Sequence, residues 1–519
     1  MSEVFLQSVS IWNIKYRFVK GEISLIHTIT STLPLVHGGR TKSLLYRLKF
    51  LEENLNEKST IHVTNYNPHY LYVYEEFKQR EIITEKLVIK NLYEWLSGNK
   101  LLEKIPTKTI FSKKVKTTSV KIPGLKEEIK DSIVRYYRDD EYVLYRKFYE
   151  NTNVLRFEDY MSPLSKKRIE RREYTKNGNL HRITNFSINN DVKLYEEFYD
   201  KNGSIYLKKY YADSKKTTLI YIILLKNNQP YKYFKSEKDM FTYYFNHVFE
   251  DGNIVFNDAR LLDKPLIDCE KDLKRVLVFH STHFTDDNIR NSYKLAFNSK
   301  EVIDKYIVLT DYQKNDILSE FEIEKEKFKV IPHFVETIRT NKNFGKENQF
   351  CYIGRISKEK QVNHIIRAFS IYIKKGYDTK LMIYGKDEQG EVDELKKLSS
   401  ELGVEEYIEF KGYTDKPKEV FEKSIASILT SKFEGFGLTV MESINYGCPV
   451  ISYNIKYGSS ELIDNHQNGI LVEKNNIDEL AIAMENASNK QMKDVKLSDR
   501  FSLECAIKNY QELINELKT

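Results

Sequence analysis

Several things are scarce in this chain. Of its 519 residues only four are cysteine (Cys269, Cys351, Cys448 and Cys505), scattered with the spacing of neither a metal site nor a redox pair. Isolated thiols of this kind fit buried free cysteines in a reducing compartment. No stretch approaches the ~20 consecutive apolar residues of a membrane span. The first residues lack the pattern of a secretory leader. A cytoplasmic protein is expected, peripheral at most on the inner face of a membrane. No Asp-x-Asp pair occurs anywhere, so that type of carboxylate clamp for a divalent cation is missing. Charge of one sign is not abundant either. The 82 basic residues against 75 acidic leave +7, which permits an anionic partner without requiring one. No recognised nucleic-acid module accompanies that charge, so a nucleic-acid partner is not expected. What remains is 41% hydrophobic and 30% charged, enough for two or three domains with ample core.

The most informative stretch is Lys432-Phe433-Glu434-Gly435-Phe436-Gly437-Leu438-Thr439-Val440-Met441-Glu442. An apolar run, Ile425 to Leu429, reads as a buried strand before it. Gly435 and Gly437 then bring bare backbone N–H groups close to whatever lies above the turn. From Gly437 an amphipathic run predicts a helix whose N-terminus faces that turn. Unpaired N–H groups and a helix dipole together favour a phosphate. Glu434 on the loop and Glu442 in the helix are placed to accept hydrogen bonds from hydroxyls beside it. Phosphate plus polyhydroxyl suggests a nucleotide-sugar.

With Gly447-Cys448-Pro449-Val450-Ile451 following, this Glu-x7-Glu constellation resembles the donor-site signature of retaining nucleotide-sugar glycosyltransferases of the GT-B fold, over most of residues 348–480. The resemblance implies donor contacts from Glu434, Gly435, Phe436, Gly437, Leu438 and Glu442. Glu434 would orient the transferred sugar and Glu442 would hold the ribose. Near the start of the same region, Gly354-Arg355 followed by Lys360 resembles the family loop whose two cations hold the donor diphosphate. A departing diphosphate gains negative charge that such cations stabilise. Arg355 and Lys360 would then work without metal or other cofactor. Lys358 competes with Lys360, since loop length alone does not say which lysine points inward. Asp387 stands where family members often carry a second phosphate-loop glycine. Tyr413 closes a strand near the place where the family binds the base.

Earlier, Ile23 to Thr30 reads as a strand, followed by Gly38-Gly39-Arg40-Thr41-Lys42-Ser43 and an amphipathic run from Leu44. Within the family Gly38 and Gly39 would let the backbone approach the diphosphate from across the cleft. Asn253–Asp258, Arg275–His280 and Lys305–Thr310 read as parallel strands. His280 falls at the C-terminal end of its strand, the edge where open α/β sheets place ligands. It matches the family histidine that faces the transferred sugar better than His283 does.

Between about 85 and 225 the α/β rhythm breaks into alternating, tyrosine-rich segments. Tyr149, Tyr174 and Tyr199 head three related stretches spaced 25 residues apart. Asn177-Gly178 and Asn202-Gly203 predict hairpin turns with positive φ at both central residues, with Asn153 in the equivalent place in the first stretch. The expectation is an antiparallel β-meander. Residues 133–211 hold 16 Lys or Arg against 12 Asp or Glu, with a cluster at Lys166, Lys167, Arg168, Arg171 and Arg172. That cluster is a candidate acceptor-binding surface, and the meander a candidate homo-oligomer interface. A run of charge is also compatible with a merely solvated face.

The expected fold class is α/β: two Rossmann-like domains facing across a cleft, with the antiparallel meander inserted in the first. The expected divisions are 1–84, an insertion at 85–230, 231–335, a donor domain at 336–500, and a helix at 501–519 crossing back. The whole layout resembles the bacterial α-glycosyltransferases that decorate wall teichoic acid, and closely similar enzymes that glycosylate serine-rich adhesins. That resemblance implies transfer of glucose or N-acetylglucosamine from a UDP-sugar to a polyol-phosphate polymer, or else to a surface protein. A non-catalytic partner that keeps the fold is the reading of another class. Retention of Arg355, Lys360, Glu434 and Glu442 together speaks against it.

Overall fold

The computed structural model describes residues 25–35, 39–103, 115–285, 288–337, 346–490, 492 and 495–519. The first domain is built on seven strands in the order Phe328–Val330, Lys305–Val308, Lys274–Val278, Ile254–Asn257, Ile26–Thr30, Ser59–Val63, Val88–Asn91. Every pairing in it is parallel. Its central strands Ile26–Thr30 and Ile254–Asn257 are buried along their whole length, the second as a nearly apolar run and the first with His27, Thr28 and Thr30 buried as well. The second domain has six parallel strands in the order Ile408–Gly412, Lys380–Tyr384, Gln349–Ile353, Ala426–Leu429, Val450–Tyr453, Gly469–Val472.

The insertion is a single ten-stranded antiparallel meander running in sequence order from Lys126–Lys130 to Gln229–Phe234. It begins later than the expected position 85, because Val88–Asn91 pairs in parallel with Ser59–Val63 and belongs to the first sheet. Asn91 then caps the short helix Leu92–Leu96 by accepting from the N–H groups of Tyr93 and Glu94. The last strands of the meander lie on the first domain. Phe198, Leu207, Ile222, Leu224 and Phe234 share one core with Leu92, Tyr93, Met240, Phe241 and Tyr244.

The three related turns form, with a different geometry from the one expected. Gly178 and Gly203 have φ of +78° and +84°, but Asn177 and Asn202 are not left-handed. The Gly178 N–H donates to the Thr175 carbonyl and Gly203 does the same to Asp200. This is a turn closed by one left-handed glycine, and the sheet register shifts at Tyr174 and Tyr199 beside it. In the first stretch the left-handed residue is Asn151 and not Asn153. Its loop closes through the Tyr149 N–H and the Val154 carbonyl.

A closing helix, Leu503–Lys518, returns to the first domain. Its Ala506, Tyr510, Leu513, Ile514 and Leu517 pack against Ile26, Phe50, Leu51, Ile254, Phe256, Val276 and Val278. Burial of each larger side chain is worth roughly 1.5–3 kcal/mol. The chain therefore crosses between the domains twice, once through 331–337 and once through this helix.

Candidate active site

In the second domain, the strand Gln349–Ile353 ends on Gly354 and leads into a tight turn, Lys358–Lys360. Gln361 closes the turn in the left-handed conformation, φ 49°. Lys360 points inward and its Nζ lies 2.6 Å from Oε1 of Glu434, with only 15% and 16% of the two side chains exposed. Ser431 donates to the same Glu434 oxygen at 2.7 Å. Lys358 points away: it is 73% exposed and 3.7 Å from Glu391. Arg355 is 55% exposed and held by Glu388 at 2.8 Å and Glu359 at 3.3 Å. Asp387, in place of a phosphate-loop glycine, caps the next segment by accepting from the N–H groups of Gln389, Gly390, Glu391 and Val392. Gly385 before it cannot be replaced, since a Cβ there would stand 1.8 Å from the Gly354 carbonyl oxygen.

The helix after the signature loop is Leu438–Asn445, entered through Gly437 at φ +89°. Glu442 faces the cleft and meets Lys42 of the opposite domain at 3.3 Å. Lys42 sits in the first turn of the helix Gly39–Leu55, whose Gly39 lies against Leu438. Gly38 lies outside the described residues. Phe436 is buried and makes edge contacts with His333 and Phe501, so only its backbone faces the loop. Tyr413 is 81% exposed and is not among the residues that line the cleft cavity.

The two domains meet at His280. A Cβ on Gly435 would stand 2.2 Å from the His280 carbonyl oxygen, so the signature loop and the end of strand Lys274–Val278 touch through bare backbone. The His280 Nε2 is 2.6 Å from Oδ1 of Asp258. Arg47 binds the same carboxylate through both oxygens, at 2.9 and 2.5 Å. Burial alone would raise the Asp258 pKa, but the Arg47 charge and the hydrogen bonds from His280 and Arg47 hold it far below the usual carboxylate range. The ring of His333, from the interdomain linker, lies parallel to that of His280 with centroids 6.2 Å apart. Burial, reinforced by the neighbouring His280, Arg47 and Lys42, pushes the His333 pKa down to about 3. Beneath these groups is a cavity of about 390 Å³, lined by Lys42, Tyr46, His280, Phe334, Met441 and Glu442 among others. His283 is placed differently: it is buried and stacks on Tyr457 of the second domain. Among the described residues, no group of three His, Cys, Asp or Glu is placed to hold a metal ion.

The basic cluster lies far from this cleft in sequence and is largely self-neutralised. Arg171 forms a bidentate pair with Asp159 at 2.6 and 2.7 Å, and Arg168 approaches the same carboxylate at 3.9 Å. Arg172 pairs with Glu170 at 2.7 Å. Lys166 and Lys167 are exposed, the latter donating to the Asn189 carbonyl. The pattern of alternating charge along adjacent strands places partners directly opposite one another, as at Asp159 and Arg171.

Sequence reasoning missed Lys42, Arg47, Asp258 and His333. Asp258 did carry a signal. It follows the strand Ile254–Asn257 at the same C-terminal edge that singled out His280. The other three come from a helix and a linker, and only the tertiary fold brings them to the cleft.

Two family models match the chain: "Glycosyl transferase 1 domain A" over residues 27–225 and "Glycosyl transferases group 1" over 334–502. Among relatives, the poly(glycerol-phosphate) alpha-glucosyltransferase of Bacillus subtilis (strain 168) is 27% identical, covering 94% of this chain and 74% of that protein. The poly(ribitol-phosphate) alpha-N-acetylglucosaminyltransferase of Staphylococcus aureus (strain COL) is also 27% identical, with 88% and 91% covered. The same architecture is found in S. aureus TarM, in a mutant bound to fondaparinux, alpha-GlcNAc-glycerol and UDP. There the TM-score is 0.78 at 22% identity, over 94% of this chain and 99% of that one. The pneumococcal O-GlcNAc transferase GtfA, bound to UDP and GlcNAc, has a TM-score of 0.66 at 18% identity, with 95% and 98% covered. These structures share the GT-B-like arrangement of two parallel-sheet domains and an antiparallel insertion. With the two models together spanning both domains, the chain belongs to the group 1 glycosyltransferases and is a hexosyltransferase by family.

Proposed function

We propose that this glycosyltransferase moves glucose or N-acetylglucosamine from a UDP-sugar to hydroxyls of a polyol-phosphate polymer, with retention at the anomeric carbon. The observation that carries the acceptor class is the extent of the match to the poly(glycerol-phosphate) and poly(ribitol-phosphate) enzymes, 94% and 88% of this chain. The match to the Streptococcus gordonii peptide N-acetylglucosaminyltransferase GtfA subunit covers 69%.

The cleft supplies the parts such a reaction needs. Lys360 and Arg355 stabilise the leaving diphosphate in place of a metal ion. Glu434 exchanges its Lys360 contact for hydroxyls of the transferred sugar, and Glu442 exchanges Lys42 for the ribose. The N–H groups at the start of Leu438–Asn445 lie where a phosphate gains from the helix dipole. Among the described residues no carboxylate stands out as a nucleophile on the far face of the sugar. Departure and attack on one face, guided by the diphosphate oxygen, therefore accounts for retention. His280 supports the sugar from the opposite domain.

The test is to incubate the purified chain with UDP-glucose or UDP-N-acetylglucosamine and, in turn, poly(glycerol-phosphate), poly(ribitol-phosphate) and a serine-rich peptide. Product anomers are then read by NMR. An α-linked sugar on one polymer supports the proposal. Transfer to the peptide alone assigns the protein acceptor, and a β-linked product overturns retention. Activity that survives EDTA supports metal independence, and loss restored by manganese or magnesium overturns it.

A further inference from the structure

The contacts around His280 are more than a wall of the cleft. The Asp258 side chain has no exposed surface and that of Arg47 is 4% exposed, so this ion pair is out of water. A buried pair of charges costs desolvation that its mutual attraction does not necessarily recover. The carboxylate has a second partner as well: its Oδ1 lies 2.6 Å from His280 Nε2. Asp258 and His280 follow neighbouring strands of the first sheet, paired at Asn257 and Leu277. Arg47 comes from the helix that also carries Gly39 and Lys42 to the cleft. Its guanidinium fork fills both carboxylate oxygens and fixes the plane of the carboxylate.

The histidine ring is confined on its other sides as well. His333 lies parallel to it at 6.2 Å, and the backbone of Gly435 closes on its carbonyl. An Nε2–H donating to that carboxylate is the tautomer the contact selects, and in it Nδ1 keeps its lone pair. That Nδ1 is buried and has no hydrogen-bond partner among the described residues. An orphaned acceptor in a cleft wall is costly unless something arrives to satisfy it.

We infer that Asp258, clamped by Arg47, is a positioning residue for transfer: it holds His280 with Nε2 protonated and presents the Nδ1 lone pair to a hydroxyl of the donor sugar. This rests on the reading that His280 faces the transferred sugar. Asp258 does not touch substrate and acts only through the histidine. The partner so identified is a hydroxyl hydrogen, not an anion, which fits a hexose and not its diphosphate.

The experiment uses the full-length enzyme and the variants D258N, H280A and the double variant, with UDP-sugar turnover, UDP affinity and thermal midpoint measured for each. In parallel, ¹⁵N-histidine spectra of the wild type are recorded, with the His280 signal identified by its loss in H280A. The expected wild-type signal is the Nε2–H tautomer. D258N is expected to lose about 10²-fold in kcat, the scale of a misplaced reacting partner. Its donor KM and UDP affinity should stay within about 2-fold, since a ring held wrongly is felt at the transferred sugar and not at the nucleotide. The double variant should be no slower than H280A, because a residue acting only through His280 adds nothing once His280 is gone. An Nδ1–H tautomer in the wild type overturns the inference without any variant having to fold. So does D258N turning over normally while H280A is impaired, which leaves the sugar-facing role of His280 standing. Additive losses in the double variant also overturn it, assigning Asp258 a structural role. Wild-type turnover in H280A removes the underlying reading, and the inference with it.

Discussion

Removal of the Lys360 ammonium separates two lysines that look equivalent in sequence. Lys360 and Lys358 flank one glutamate on one short turn, yet the first is 15% exposed and 2.6 Å from Glu434, while the second is 73% exposed and 3.7 Å from Glu391. An exposed, loosely held pair contributes about 0.2–1 kcal/mol. Lys358→Ala should therefore shift stability by no more than about 1 kcal/mol, and turnover by less than about 2-fold. On the proposed function, Lys360→Ala removes the cation that would meet charge on a leaving diphosphate. Loss of one such stabiliser costs about 10²–10³ in kcat, or roughly 2.7–4 kcal/mol. The same change strips Glu434 of its charged partner and leaves Ser431 as its remaining contact, which costs roughly 1–3 kcal/mol of stability. Turnover is followed by UDP release, affinity by calorimetry with UDP, and stability by urea unfolding at one pH. Equal losses in the two variants, or a larger loss in Lys358→Ala, would refute the placement of Lys360 as the inward cation.

Glu442→Gln should keep the fold and weaken UDP-sugar binding by roughly 1.5–3 kcal/mol, the value of a hydrogen bond to a charged group; unchanged affinity in calorimetry would take Glu442 out of the site. Gly435→Ala should lower turnover by about 10²-fold while UDP still binds, because its Cβ would stand 2.2 Å from the His280 carbonyl and must push the domains apart; normal turnover would show that this approach is not needed. His62 and His283 are both fully buried, and burial lowers the pKa of each, His283 to about 4. Each binds its proton more readily when unfolded, so stability is lost as pH falls below about 6.5, by about 1.4 kcal/mol per unit per histidine; urea midpoints that stay level from pH 7 to pH 5 would contradict this. Reversing Lys166 and Lys167 to Glu should raise the KM for a long polyol-phosphate acceptor and flatten its salt dependence, with donor hydrolysis unchanged; a shift in oligomeric state with unaltered polymer kinetics would instead assign the meander to assembly.

What was legible in the sequence was local. A strand, two glycines and an amphipathic helix announce Gly437 and Glu442 because backbone geometry and helical periodicity operate over a dozen residues. The meander was legible for the same reason, through Gly178 and Gly203. Its turn type was not, because an Asn-Gly pair serves both a two-residue hairpin and a longer turn closed by one left-handed glycine. The choice between Lys358 and Lys360 was hidden too. It depends on Gln361 adopting φ 49°, a conformation that nothing in its side chain announces. Least legible were pairings across the chain. Lys42 meets Glu442 four hundred positions away, and Arg47 meets Asp258 at a separation of 211. Lys42 becomes informative only once the domains face each other, and Arg47 only once the helix Gly39–Leu55 packs on the first sheet.

That facing arrangement explains why the signature loop needs glycine at 435 for a reason distinct from glycine at 437. Gly437 takes a φ of +89°, which other residues adopt only at a cost, and so it turns the chain into the helix. Gly435 has no such backbone demand, and its constraint comes from the other domain, whose His280 carbonyl occupies the space of a side chain. Glu434 therefore sits one residue from a point where the domains touch through backbone, and His280 occupies the opposing side of the same contact. A carboxylate on one domain and an imidazole on the other can be held on either side of one sugar only if nothing bulkier than backbone separates their supports. The charged contacts nearby are of a kind that can exchange with a ligand: Lys42 with Glu442 across the cleft, and Lys360 with Glu434 within the second domain. The contact at Gly435 is made by backbone, and it holds the two domains close beside the place where those exchanges happen.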